Sequence, residues 1–163
     1  MNNKTKTLYL LRHGEAEFNI ETNDFDLSLT ENGRQQVYQV AKHLGENMLK
    51  IDHLISSSAT RARQTIEIIK DHLHLTEIEF RDDLYPCTSS SIFDTIVSLD
   101  DSINSVLIVG HNPGLSTFAQ EYMQLNEIAM PTSGLISCNY FSDSWAEFVL
   151  SDLKRNFFIT PKI

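Results

Sequence analysis

TLYLLRHG, residues 7–14, is a run of apolar and β-favouring side chains that stops abruptly at an arginine and a histidine. The run reads as a buried strand. Arg12 and His13 both cost free energy to desolvate, and a plain fold gives them no reason to sit at the end of a buried strand. What they are for depends on what the rest of the chain brings to the same place.

Two other strand-like runs end in similar chemistry. His53–Ile55 with its flanks runs into Ser56-Ser57-Ser58-Ala59-Thr60-Arg61 and a helix, and Val106–Val109 runs into Gly110-His111-Asn112-Pro113-Gly114 and another helix. A short strand is expected around Ile78–Phe80, and Leu135–Phe141 with Ala146–Leu150 read as a hairpin across SDSW. Helical spacing joins Val37, Ala41, Leu44 and Met48 behind Thr30 as N-cap, and joins Ala62, Ile66, Ile69 and Leu73. Ile92, Ile96 and Leu99 follow a capping box read at Ser91–Asp94, and Leu115, Phe118, Ala119, Tyr122 and Met123 form a fourth stripe. Strands alternating with helices predict an α/β fold: a three-layer αβα sandwich on a mostly parallel, doubly wound sheet, with a C-terminal hairpin.

In such a sheet the loops leaving the carboxyl ends of the strands converge on one crevice, where ligands bind. Arg12, His13, Arg61 and His111 are therefore expected to meet. Two guanidiniums suit a bidentate grip on a tetrahedral oxyanion such as phosphate. A neutral imidazole can attack phosphorus, neighbouring cations keep that imidazole unprotonated, and a second imidazole can donate to the transferring oxygens. No metal or other cofactor is expected: these loops lack a carboxylate cluster, and Arg12 would repel a cation at His13 and His111.

The ordered set Leu11-Arg12-His13-Gly14-Glu15, Leu29-Thr30-Glu31-Asn32-Gly33, Ser57–Thr65 (SSATRARQT), Gly110-His111-Asn112-Pro113 and Pro131-Thr132-Ser133-Gly134 resembles the histidine phosphatase superfamily, with its phosphoglycerate mutase-like fold. The resemblance spans most of the chain and implies one histidine phosphatase domain over residues 1–163. It implies that His13 of the RHG motif is the nucleophile, that Arg12 and Arg61 bind the phosphoryl oxygens, and that His111 completes the pocket. Gly14 is placed beside the substrate, and Asn19 where the mutase branch's RHGExxxN pattern puts a phosphate-contacting asparagine.

Family members that cleave phosphate esters carry a glutamate after the third strand. Here that loop reads RDDLYPCTSSS, which leaves Asp83, next to Asp82, as the candidate proton donor. A weak acid matters less when the leaving group is an imidazole. With Leu84, Pro86 and Cys87, the loop is similar to that of the SixA-type phosphohistidine phosphatases. The expected activity is removal of phosphate from protein phosphohistidine, with a His-containing phosphotransfer domain as partner. The alternatives are a phosphatase of small phosphoesters or phosphoamides, and a phosphate-binding scaffold without turnover.

Composition narrows the field further. Acidic residues number 22 against 13 basic ones, a formal net charge of −9, which opposes a nucleic-acid partner. Without an apolar run of about 20 residues or an apolar leader in MNNKTKT, neither a membrane nor export is expected. The expected address is cytoplasmic and the expected state a monomer. Cys87 and Cys138 read as reduced thiols in or near the core. Six residues past Cys87 stands Phe93, which excludes a Cys-x5-Arg phosphatase. Asp24-Phe25-Asp26-Leu27-Ser28 resembles an aspartate-phosphatase loop but follows NIETN rather than a strand, so it reads as a polar approach to the Thr30 helix. Neither GxxxxGK nor GxGxxG is present.

Overall fold

The computed structural model describes residues 4–161; the first three residues of MNNKTKT and the last two of the expected 1–163 domain lie outside that range. Among the described residues six strands form one sheet: β1 (Thr5–Arg12), β2 (His53–Ser57), β3 (Glu79–Arg81), β4 (Ser105–Gly110), β5 (Leu135–Phe141) and β6 (Leu153–Ile159), in the order β3-β2-β4-β1-β5-β6. The first four strands of that order run parallel, and β5 pairs antiparallel with both β1 and β6.

Alternation along the strands sorts two apolar cores. Leu8 and Leu10 of β1, with Val106 and Ile108 of β4, face α3 (Ser89–Val97) and α4 (Gly114–Tyr122). Tyr9, Leu11, Leu107 and Val109 face the opposite side, against α1 (Glu31–Glu46) and α2 (Thr60–Leu73). The chain thus leaves β1 toward one face and β4 toward the other, although the two strands are neighbours. That divergence opens a crevice at their carboxyl ends. Arg12 pairs with Gly110 across it, so His13 and His111 leave the sheet side by side.

The helix starts follow local rules. Thr30 caps α1, accepting from the Gly33 amide at 2.9 Å. Gly33 is needed for packing, because a Cβ there would collide with the Glu15 carbonyl oxygen. For α3 the capping box lies three residues earlier than the sequence pattern suggests, with Thr88 as cap and Ser91 closing it.

The C-terminal hairpin is also corrected. Trp145–Leu150 is a 3₁₀ helix, and the strand that pairs with β5 is β6. Trp145 and Phe148 are fully buried three residues apart, a spacing that suits a 3₁₀ turn and not a strand's period of two. Among the described residues no helix is long and apolar enough to cross a membrane.

Candidate active site

Four side chains from the three strand ends meet in one cleft of about 350 Å³, with Asp24, Asn112 and Thr132 along its wall. His13 is buried and its Nδ1 lies 2.7 Å from the Gly14 carbonyl oxygen. A carbonyl can only accept, so Nδ1 carries the proton and Nε2 keeps its lone pair. Arg61, at the first turn of α2, donates through Nε to that Nε2 at 3.3 Å. Burial lowers the His13 pKa to about 4; Arg61 and Arg12 push the same way, against the Gly14 hydrogen bond.

His111 stands beside it, ring centroids 4.9 Å apart. Its Nε2 is 2.7 Å from Ser57 Oγ, and its buried Nδ1 has no partner among the described residues. Burial, then His13 and Arg61, lower its pKa to about 3. Both imidazoles are neutral at neutral pH.

Arg12 spends Nη1 on the Met130 carbonyl oxygen at 3.0 Å, and its buried Nε is unpartnered among the described residues. The same carbonyl accepts from Asn112 Nδ2, and the Ser133 amide donates to the Arg12 and His13 carbonyls. The Pro131–Gly134 segment is therefore stitched to the end of β1. Burial, and then Arg61, lower the Arg12 pKa, as expected of one cation crowded by another. Unpartnered buried donors beside paired guanidiniums suit an anion.

Other expected residues lie elsewhere. Gly14 gives its amide to Thr65 Oγ1 at 3.1 Å and its carbonyl to His13, so it orients the imidazole and has no N–H left for a substrate. Asn19 is exposed, its side chain accepting from the Glu21 amide at 2.9 Å, and it does not line the cleft. Asp83 is held by two hydrogen bonds from Arg81, at 3.0 and 2.7 Å, and this pairing lowers its pKa, the reverse of what a proton donor needs. Cys87 is buried and free, its thiol pushed up to about 11 by burial. His53, His72 and Arg63 serve local contacts, with Glu79, the Ile68 carbonyl and the Phe80 ring respectively.

Asp24 is a member of the site that motif reading does not supply. Its backbone oxygen accepts from Arg61 Nη1 at 2.6 Å and its carboxylate from Nη2 at 3.0 Å, while Tyr85 donates to the same carboxylate oxygen at 2.6 Å. The Tyr85 and Arg61 hydrogen bonds lower its pKa, so it stands ionised at the cleft mouth. The signal available in the sequence is its position in the loop leaving the carboxyl end of β1, the same edge as the RHG motif.

This frame has known counterparts. Residues 8–86 match the model of the histidine phosphatase superfamily, branch 1. The chain has the histidine phosphatase fold. It superposes on SixA from Agrobacterium tumefaciens, a putative phosphohistidine phosphatase, with a TM-score of 0.83, at 24% identity, over 96% of this chain and 98% of that one. A structure of the protein histidine phosphatase SixA complexed with tungstate gives 0.81 at 24% identity, over 95% and 97%. In sequence, a probable phosphoglycerate mutase, GpmB of Shigella dysenteriae, is 46% identical over 65 residues, 38% of this chain and 29% of that protein. The chain spans about a third of the length of the curated relatives it matches. The match to the histidine phosphatase model covers Arg12, His13 and Arg61, and the fold supplies the setting for His111.

Proposed function

We propose that the protein is a phosphatase that forms a phosphohistidine on His13 and takes its phosphoryl group from phosphohistidine on another protein. The observation that carries the chemistry is a neutral His13 with Nδ1–H fixed on Gly14 and a lone pair on Nε2 beside Arg61. Nε2 attacks phosphorus and the substrate's P–N bond breaks, its electron pair returning to the leaving imidazole. Arg12 and Arg61 hold the equatorial oxygens, with Arg61 exchanging the Asp24 carboxylate for phosphate. Water then attacks the phosphoenzyme, the P–Nε2 bond breaks, and orthophosphate leaves with His13 restored.

The carboxylates bear on the leaving group. Asp83 is tied to Arg81 and Asp24 to Tyr85 and Arg61, and both have lowered pKa values. Neither is suited to protonate an ester oxygen. An imidazole leaves without such help, because its second nitrogen carries a proton or takes one from water. The cleft mouth favours a macromolecular substrate: Phe18, on the cleft wall, is 90% exposed, and Ile20, two residues on, is 87% exposed. The tungstate complex of the structurally similar SixA fits the same oxyanion preference.

The test compares kcat/KM on a phosphorylated His-containing phosphotransfer domain with that on a panel of small phosphoesters and phosphoramidate. The protein substrate is expected to be preferred. In the double variant Phe18→Ser, Ile20→Ser, KM for that substrate is expected to rise about tenfold while phosphoramidate kinetics change far less. A higher kcat/KM on small phosphoesters would overturn the protein-substrate proposal, and binding of orthovanadate with no turnover on any substrate would favour a scaffold.

A further inference from the structure

Ser57 is the last residue of β2, and its fully buried side chain bridges two elements of the cleft. Its Oγ accepts from the Ala59 amide at 3.2 Å, just before α2 begins, and lies 2.7 Å from His111 Nε2. A serine hydroxyl has one proton to give. The Ala59 N–H occupies a lone pair and cannot receive that proton. His111 Nε2 is the other polar atom bonded to Ser57 Oγ; if it donated instead, the buried hydroxyl proton would have no acceptor. We infer that Ser57 donates its hydroxyl proton to Nε2 and so fixes His111 with its own proton on Nδ1, as a hydrogen-bond donor to the transferring phosphoryl group.

A neutral imidazole carries one N–H, and which nitrogen holds it is set by the hydrogen bond the other nitrogen makes. With Nε2 accepting, Nδ1 becomes a buried donor that no described protein group satisfies. Buried donors of this kind are costly; His111 lines the cleft, and a phosphoryl oxygen bound there is the acceptor this inference assigns to Nδ1. Were Ser57 absent, the ring would be free to take the other tautomer and turn a lone pair toward negatively charged oxygens. Such a ring would repel the phosphoryl group instead of stabilising it.

Ser57 is thus a positioning residue, acting through His111. Four residues on, Arg61 presents its guanidinium to His13. The short segment from Ser57 to Arg61 therefore sets both a hydrogen-bond donor and a cation of the site. That His111 serves a phosphoryl group rests on the phosphatase proposal; the tautomer itself does not.

The experiment is ¹⁵N NMR of histidine-labelled protein, free and with orthovanadate, for the wild type, Ser57→Ala and Ser57→Thr. In the wild type, His111 is expected with Nδ1 protonated and Nε2 bare, and vanadate is expected to shift the Nδ1 signal. In Ser57→Ala the proton is expected to move substantially to Nε2. The kcat on the phosphorylated phosphotransfer domain should fall about ten- to a hundredfold, short of full loss of an oxyanion donor. Ser57→Thr retains the hydroxyl and is expected to restore both tautomer and rate. A wild-type His111 protonated on Nε2 would overturn the inference with no variant needed. So would an Nδ1 signal that ignores bound vanadate, or a rate loss in Ser57→Ala with the tautomer unchanged. The expected tautomer and vanadate response in a wild type that turns over no phosphorylated substrate would support the role of Ser57 and overturn the phosphatase proposal instead.

Discussion

His13 and His111 are near neighbours with the same cations around them, yet they are held by different ring nitrogens. Gly14, a carbonyl acceptor, holds the first ring by Nδ1 and leaves the Nε2 lone pair toward Arg61. Ser57, a hydroxyl, holds the second by Nε2 and leaves Nδ1 unpartnered among the described residues. Under the proposed mechanism, the oxygen atom behind each ring makes one imidazole a nucleophile and the other a donor. Residue type supplies the capacity, and the partner behind the ring assigns the task.

Substitutions should separate these proposed tasks, and the largest effect is expected at His13. His13→Ala is expected to lose phosphoenzyme altogether and to lower steady-state turnover by about 10⁴-fold or more, measured on the phosphorylated phosphotransfer domain. His111→Gln is expected to keep phosphoenzyme formation detectable while slowing it about 10²- to 10³-fold, as loss of one donor to a charged transition state does. Equal losses in the two variants, with no phosphoenzyme in either, would erase the distinction.

The two rings should act alike in one respect, their cost to stability in acid. Their folded-state pKa values, about 4 and about 3, lie below the usual value of 6.5. The unfolded chain therefore takes up protons first as pH falls. Stability is expected to hold above about pH 6.5 and to decline progressively toward about pH 4, by about 3 kcal/mol for His13. His111→Gln should remove about half of the two rings' joint contribution, read by urea unfolding across this range. Activity, by the same logic, should lack an acid limb near the ordinary histidine pKa.

The smallest effect concerns the mouth. Asp24 occupies Arg61 through a largely exposed carboxylate. Asp24→Asn is expected to tighten inhibition by orthovanadate about two- to fivefold, the scale of an exposed ion pair. Weaker inhibition would mean that Asp24 positions Arg61 more than it competes for it.

The sheet explains why so much of the cleft is legible in the sequence. Buried strands show in composition, and the carboxyl-edge rule then gathers Arg12, His13, Arg61 and His111 from three distant loops. Thr30 can be read as a cap because capping is local. What escapes depends on contacts between loops or on a choice among polar partners. Asp24 meets Tyr85 across 61 positions of chain, and no periodicity links them. Asn19 turns to its own loop, and Asp83 to Arg81 two residues before it, an opposite charge visible in the sequence as a competitor. The last strand is hidden because Phe148, Val149 and Leu150 carry enough apolar surface to look like a strand, while β6 is interrupted by Lys154, Arg155 and Asn156.

The central claim of the proposed mechanism is that His13 carries the phosphoryl group. The direct measurement mixes the protein with a phosphorylated phosphotransfer domain, quenches rapidly in alkaline denaturant that preserves phosphohistidine, and locates the phosphate by mass spectrometry. The expected result is a transient phosphoryl group on His13 that appears and decays at the turnover rate. Turnover with no phosphate on the protein, or with phosphate on any residue other than His13, would contradict it.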